Sequence, residues 1–226
     1  MRQIERDLML VLLAVAAGSA DGWSYFGLGH AFVANMTGNT VLLAVGLAQF
    51  DPEAVVRSSL ALAGFVGGAA LGAWIVERDL VKGVWPRPVT LALTVEAVIL
   101  GAFAAGWQWF GDASAAAPTA ILIVLSAFAM GLQSAAIRRL EVSGIATTYI
   151  TGTLTNLVAR VMRSRTRNSN SSSRHGVLLG AVWIVYFGGA AAAGMDLRIS
   201  PWLALALPVA VVVCVVVIAA IAFRAR

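Results

Sequence analysis

The chain has 226 residues, 60% of them apolar and 12% charged, where soluble domains carry roughly 25% charged residues. With a mean hydropathy of +0.86 and 22 glycines, this is the profile of an all-α, polytopic membrane protein surrounded by lipid, and it excludes an ordinary soluble domain. The net charge of +5 points to Arg-rich cytoplasmic loops rather than to a nucleic-acid partner.

The N-terminus imitates a signal peptide. Arg2 and Arg6 precede an apolar run, and Gly18-Ser19-Ala20 follow it. Glu5 and Asp7 dilute the positive region, and apolar character resumes beyond the small residues. A retained first helix is therefore expected. Eight apolar segments follow in order: 8–28, 32–49, 54–76, 88–110, 118–137, 144–162, 176–195 and 201–223. Every Trp but Trp183 stands at the end of an apolar run or between runs, as interface anchors do.

Segments one to four match five to eight in order and spacing. Both halves carry a polar Thr-Gly island, Thr37-Gly38-Asn39-Thr40 in segment two and Thr151-Gly152-Thr153 in segment six. Both also carry a glycine–alanine patch, at 64–72 and at 186–194. The expected organisation is one membrane domain over 1–226, built from internal repeats at about 8–110 and 118–223. Gly64, Gly68 and Gly72 form small-xxx-small steps on one helix face. They suit close helix packing, and would serve equally for a contact between two copies in a homo-oligomer.

A full crossing needs about 20 mostly apolar residues. Segment two has a clean apolar run only over 41–48, and segment six is rich in Thr with Asn156 among them. Both read as re-entrant half-helices, which are tolerated at membrane depth only within protein or along a cavity. The charges agree. If these two segments do not cross and the N-terminus is cytoplasmic, only Arg57 and Arg198 of the 16 Lys and Arg lie outside. If all eight cross, six lie outside, which fits the positive-inside rule less well. Six spans plus two half-helices give three crossings per half, so the halves are inverted, as in many transporters. Eight spans are the alternative. In the six-span arrangement both termini and the Ser/Arg-rich stretch 163–175, read as a solvated loop, face the cytoplasm.

Chemistry has few candidates. The single Cys214 excludes a disulfide framework or a cysteine metal cluster. No Ser-His-Asp arrangement, phosphate-cradling loop or HExxH is present, so neither an enzyme nor a cofactor is expected. The polar residues that could line a solute site are Asn35, Thr37, Gly38, Asn39 and Thr40 in the first island and Thr151, Gly152, Thr153 and Asn156 in the second. Asp21 and Gln133 join them from neighbouring spans. A Thr-Gly-Asn at the start of a half-helix would aim free N–H groups and the positive dipole end at a ligand. Alternatively, these residues hold the half-helices by hydrogen bonds alone. If they form one site, the islands converge near mid-membrane.

The runs Ala20-Asp21-Gly22-Trp23-Ser24-Tyr25 and Phe32-Val33-Ala34-Asn35-Met36-Thr37-Gly38-Asn39-Thr40 resemble the signature of the YoaK-type family of bacterial integral membrane proteins. Tyr149-Ile150-Thr151-Gly152-Thr153-Leu154-Thr155 is similar to that family's second signature. The resemblance implies a bacterial cytoplasmic (inner) membrane protein of about six spans, and it implies no activity.

Two acids lie inside predicted spans, and intramembrane acids are functional candidates by default. Asp21 is a candidate proton carrier. Glu96 is expected to snorkel or to pair with Arg87, and His30 to sit at the interface. The function these features favour is a small-solute transporter or channel. A membrane module binding a lipid, a quinone or a partner protein is the alternative.

Overall fold

The computed structural model describes residues 2–78, 83–110, 116–142, 150–166, 173–199 and 201–223. Among the described residues the chain is helical, with eight helices and no strand. They are α1 Arg2–Gly27, α2 Met36–Gln49, α3 Pro52–Glu77, α4 Arg87–Phe110, α5 Ala116–Arg138, α6 Ile150–Thr166, α7 Ser173–Ile199 and α8 Pro201–Ala222. Six are long and apolar enough to cross a membrane: all but α2 and α6. At 1.5 Å per residue, the 14 residues of α2 extend only about 21 Å.

Local chemistry sets the ends of α2 and α3. Asn35 caps α2 by accepting from the Gly38 N–H at 3.1 Å. Phe50 ends α2 in the left-handed conformation, and the Asp51 N–H then bonds back to the Gly46 carbonyl. Asp51 in turn caps α3, accepting from the Glu53 and Ala54 N–H groups, with Pro52 in the first helical position. Two residues thus reverse the chain between α2 and α3. At the end of α1 the turn is made by Gly29 and His30, both at positive φ.

The two most extensive helix pairings are α1 with α7 and α3 with α5. Both are parallel. Gly18 lies against Tyr186 and Gly22 against Ala190 in the first; Gly64 lies against Val124 and Gly68 against Phe128 in the second. A Cβ on Gly18 would overlap the Tyr186 carbonyl, and one on Gly68 the Phe128 carbonyl. Only glycine allows these backbones so close. The Gly64/Gly68/Gly72 face is therefore filled by α5 of the same chain.

The remaining pairings are α1 with α8, α4 with α5, α2 with α3, α6 with α7, α4 with α8, α3 with α4, α7 with α8 and, lightly, α1 with α5. Exchanging α1–α4 for α5–α8 leaves this set of partners unchanged. The C-terminal end of α1 meets the start of α3 through Gly29 and Arg57, and the C-terminal end of α4 through Trp23, Phe103 and Trp107. The start of α4 meets the end of α8 through Trp85 and Phe223. So α1, α4 and α7 run one way and α3, α5 and α8 the other.

Segment six differs from its expected form. Helix α6 continues to Thr166 and α7 begins at Ser173, so both ends of the stretch 163–175 are helical rather than loop. Residues 143–149, the expected entry into this segment, and 167–172, the middle of that stretch, lie outside the described residues.

Candidate functional site

Between α1 and α2 the chain leaves the helical hydrogen-bond ladder, and residues 28–35 turn back alongside α1 to the level of Asp21. At membrane depth each unpaired backbone group costs several kcal/mol. Two side chains supply what this limb lacks. Asp21 Oδ1 accepts from the backbone N–H groups of Val33 at 2.8 Å, Ala34 at 2.7 Å and Asn35 at 3.3 Å. The Asn39 amide clasps Phe32 from both sides: its oxygen accepts the Phe32 N–H at 2.9 Å, and its nitrogen donates to the Phe32 carbonyl at 2.6 Å. The Met36 N–H bonds to the Ala34 carbonyl. Every backbone donor from Phe32 to Met36 is thereby matched.

The second oxygen of Asp21 bonds the phenol of Tyr186 on α7. Asp21 is buried, with four donors on its two oxygens. Backbone N–H groups can only donate, so Oδ1 must act as an acceptor. Asp21 ties three things together: α1, the limb that carries the first island, and α7. Tyr186 gives no signal in the sequence beyond opening a glycine–alanine patch.

The first island is split by burial. Asn39 is fully buried, Gly38 is half-buried, and Thr37 and Thr40 are exposed. The Thr40 hydroxyl bonds back to the Met36 carbonyl on its own helix. The second island repeats the pattern: Thr153 is buried, Gly152 half-buried and Thr151 exposed, and Asn156 is exposed. Thr151 receives the Thr155 hydroxyl on its carbonyl.

Helix α2 packs on α3 and α6 on α7, with no extended contact between α2 and α6 among the described residues. Leu157 of α6 lies near Gly180 of α7, and the two helices form a hairpin. That register brings Ile150 and Thr151 to about the level of Tyr186, where the first island is anchored. The Gln133 side-chain N–H donates to the Leu13 carbonyl at 3.1 Å and links α5 to α1. A cleft of about 220 Å³ opens between α2 and the start of α3, lined by Gly29, His30, Leu42, Gly46, Asp51 and Arg57 among others.

Glu96 departs from its expected role. It is fully buried in α4, and among the described residues neither carboxyl oxygen has a hydrogen-bond partner. Arg87 is exposed and does not pair with it. The span Arg87–Trp109 explains why snorkelling fails. Glu96 lies nine residues from one end and thirteen from the other, about 14 Å and 20 Å along the helix, beyond the reach of a short side chain.

The polar signature around Asp21 and the first island lies within a longer match. The family model described as "Protein of unknown function (DUF1275)" matches residues 9–219. The chain belongs to the DUF1275 family. The chain is also 39% identical over 153 residues to the UPF0700 transmembrane protein YoaK of Bacillus subtilis (strain 168), which covers 68% of this chain and 66% of that relative. The match thus spans just under two thirds of the relative's length. No solved structure matches the chain. For this DUF1275 protein, the six apolar helices and the transmembrane relative agree on a multi-pass membrane protein.

Proposed function

We propose that the protein is a small-solute transporter or channel of a bacterial cytoplasmic membrane, with both termini on the cytoplasmic side. One observation carries the reading: the helix pairing is unchanged when the two halves are exchanged, and each half hangs one short polar helix on a long span. Transporters built from inverted repeats use broken or half-helices in this way, with the solute held near the repeat interface. Asp21, Asn35 and Asn39 hold the first half-helix at depth. Exposed Thr37 and Thr40, with Thr151, Gly152 and Asn156 on the second, are then the polar groups available to a solute.

The test is a screen of small solutes against the purified full chain by thermal stabilisation, followed by uptake into proteoliposomes. A solute at 100 times its Kd stabilises by about 2.7 kcal/mol. At least one solute class should both raise the melting temperature and enter vesicles faster than it enters protein-free vesicles. Stabilisation without uptake would replace transport by binding. That second reading, a module for a lipid, quinone or partner protein, is favoured by the exposed apolar faces of the half-helices, Val41, Val45 and Leu47 on α2 and Leu154 and Val158 on α6.

A further inference from the structure

Of the two buried carboxyls among the described residues, Asp21 has four donors and Glu96 has none. Glu96 lies on the α4 stripe of Leu93, Leu100 and Phe103, all buried. Helix α4 packs on α5, α8 and α3. In the antiparallel α4–α5 pair Gly106 meets Leu122, which puts Glu96 level with Leu132 and Gln133. In the antiparallel α4–α8 pair Trp85 meets Phe223, which puts it level with about Val212.

Among the described residues, no counter-charge faces this position from the elements around it. On α5 the nearest cation is Arg138, about a turn and a half nearer the end of the helix, and the following Arg139 donates to the Val76 carbonyl. On α8 the described residues offer only Cys214, which is exposed. On α3 the charges sit at the ends: Arg57 pairs with Glu53, and Arg78, beyond Glu77, lies over the Trp74 ring. Arg87 on α4 itself is exposed. On α1, Arg6 pairs with Asp7 and Asp21 is held by its own donors.

An unpaired ionised carboxylate in such packing is far more costly than an unpaired polar group. In this conformation the group therefore holds its proton. It adds nothing to the packing that an apolar side chain of its size would not supply better.

We propose that Glu96 is a proton-binding site, loaded in this conformation and emptied when movement of α4 against α5 and α8 admits water. The inference rests on the transporter reading, whose coupling ion it names. Unloading breaks the carboxylic O–H bond and forms one O–H bond on a water molecule. The bonding pair stays on the carboxylate, and loading reverses the step.

The probe is the proton itself. The full chain in lipid is taken through pH steps in H₂O and D₂O, and infrared difference spectra are recorded with circular dichroism alongside. Wild type, Glu96→Gln and Glu96→Asp are compared, together with wild type labelled with carboxyl-¹³C glutamate. The label identifies a Glu carboxyl without any substitution, so a variant that fails to fold does not end the test. At about pH 7, where an ordinary solvated glutamate is ionised, a neutral carboxylic-acid band should be present that moves with the label and shifts in D₂O. It should vanish reversibly as pH rises with helicity intact. Glu96→Gln should lack it, and Glu96→Asp should restore it at a displaced frequency. A labelled band that persists until the helices melt would make Glu96 a permanently neutral packing group and overturn the proposal. Absence of a neutral Glu band at about pH 7 would overturn it as well. Uptake then tests the parent reading separately. With a solute identified, Glu96→Gln should keep solute exchange at equal concentrations and lose accumulation driven by a pH gradient. A titrating band in a protein that moves no solute leaves the proton site standing and overturns transport.

Discussion

Replacing Asp21 by Ala removes the acceptor for three consecutive backbone N–H groups and for the Tyr186 phenol. The N–H groups of Val33 and Ala34 belong to residues with 0% and 2% exposure, so water cannot take over as acceptor. A buried donor left without an acceptor costs about 1–3 kcal/mol, and two such donors cost about 2–6 kcal/mol together. Typical domains have about 5–15 kcal/mol of stability in total, so this loss is enough to release the limb even where the bundle survives. Asp21→Asn keeps one carbonyl oxygen for the N–H groups and places an N–H₂ beside the phenol oxygen, so its loss should be the smaller. Two readouts separate local from global failure. One is the melting temperature in detergent. The other is the thiol reactivity of Ala34→Cys in a background where exposed Cys214 is Ser. The Cys at 34 should be unreactive with Asp21 present, slightly reactive with Asn and freely reactive with Ala. Equal melting and equal reactivity in all three backgrounds would show that Asp21 does not hold the limb.

Gly68→Ala should destabilise by about 1–3 kcal/mol, the usual range for overpacking, because α3 must move away from the Phe128 carbonyl. Gly101→Ala, where nothing lies within 4 Å, should melt at or above wild type; equal losses at both sites would refute the close-approach account. Asn39→Asp keeps the acceptor for the Phe32 N–H but loses the donor to its carbonyl. It should therefore lower the melting temperature nearly as much as Asn39→Ala, and a wild-type melt would remove Asn39 from the scaffold. Cysteines placed at Ser143 and Ser171 should react with an impermeant reagent only after the cells are permeabilised. Labelling of Ser143 from outside would restore the eight-span arrangement.

Composition alone marks the chain as a helical membrane protein, because an apolar run of about 20 residues has few other stable fates. The six spans and the two shorter segments are readable for the same reason: polar residues such as Thr37, Asn39, Thr151 and Asn156 break the apolar runs where a crossing would fail. The small residues of the glycine patches also announce close packing. Which helix they approach is not written locally. Gly68 could meet another copy as well as α5, and only the assembled bundle selects Phe128. The role of Asp21 shows the same limit. A lone acid in an apolar run reads as a candidate proton carrier, because its three N–H donors lie 12 to 14 residues away and its phenol 165 residues away. Glu96 reads the opposite way: Arg87, nine positions earlier, promises a partner that helix geometry withholds. Sequence spacing determines which residues share a face of one helix. Whether a polar group on that face is satisfied depends on donors brought from other helices, and only the tertiary structure decides it.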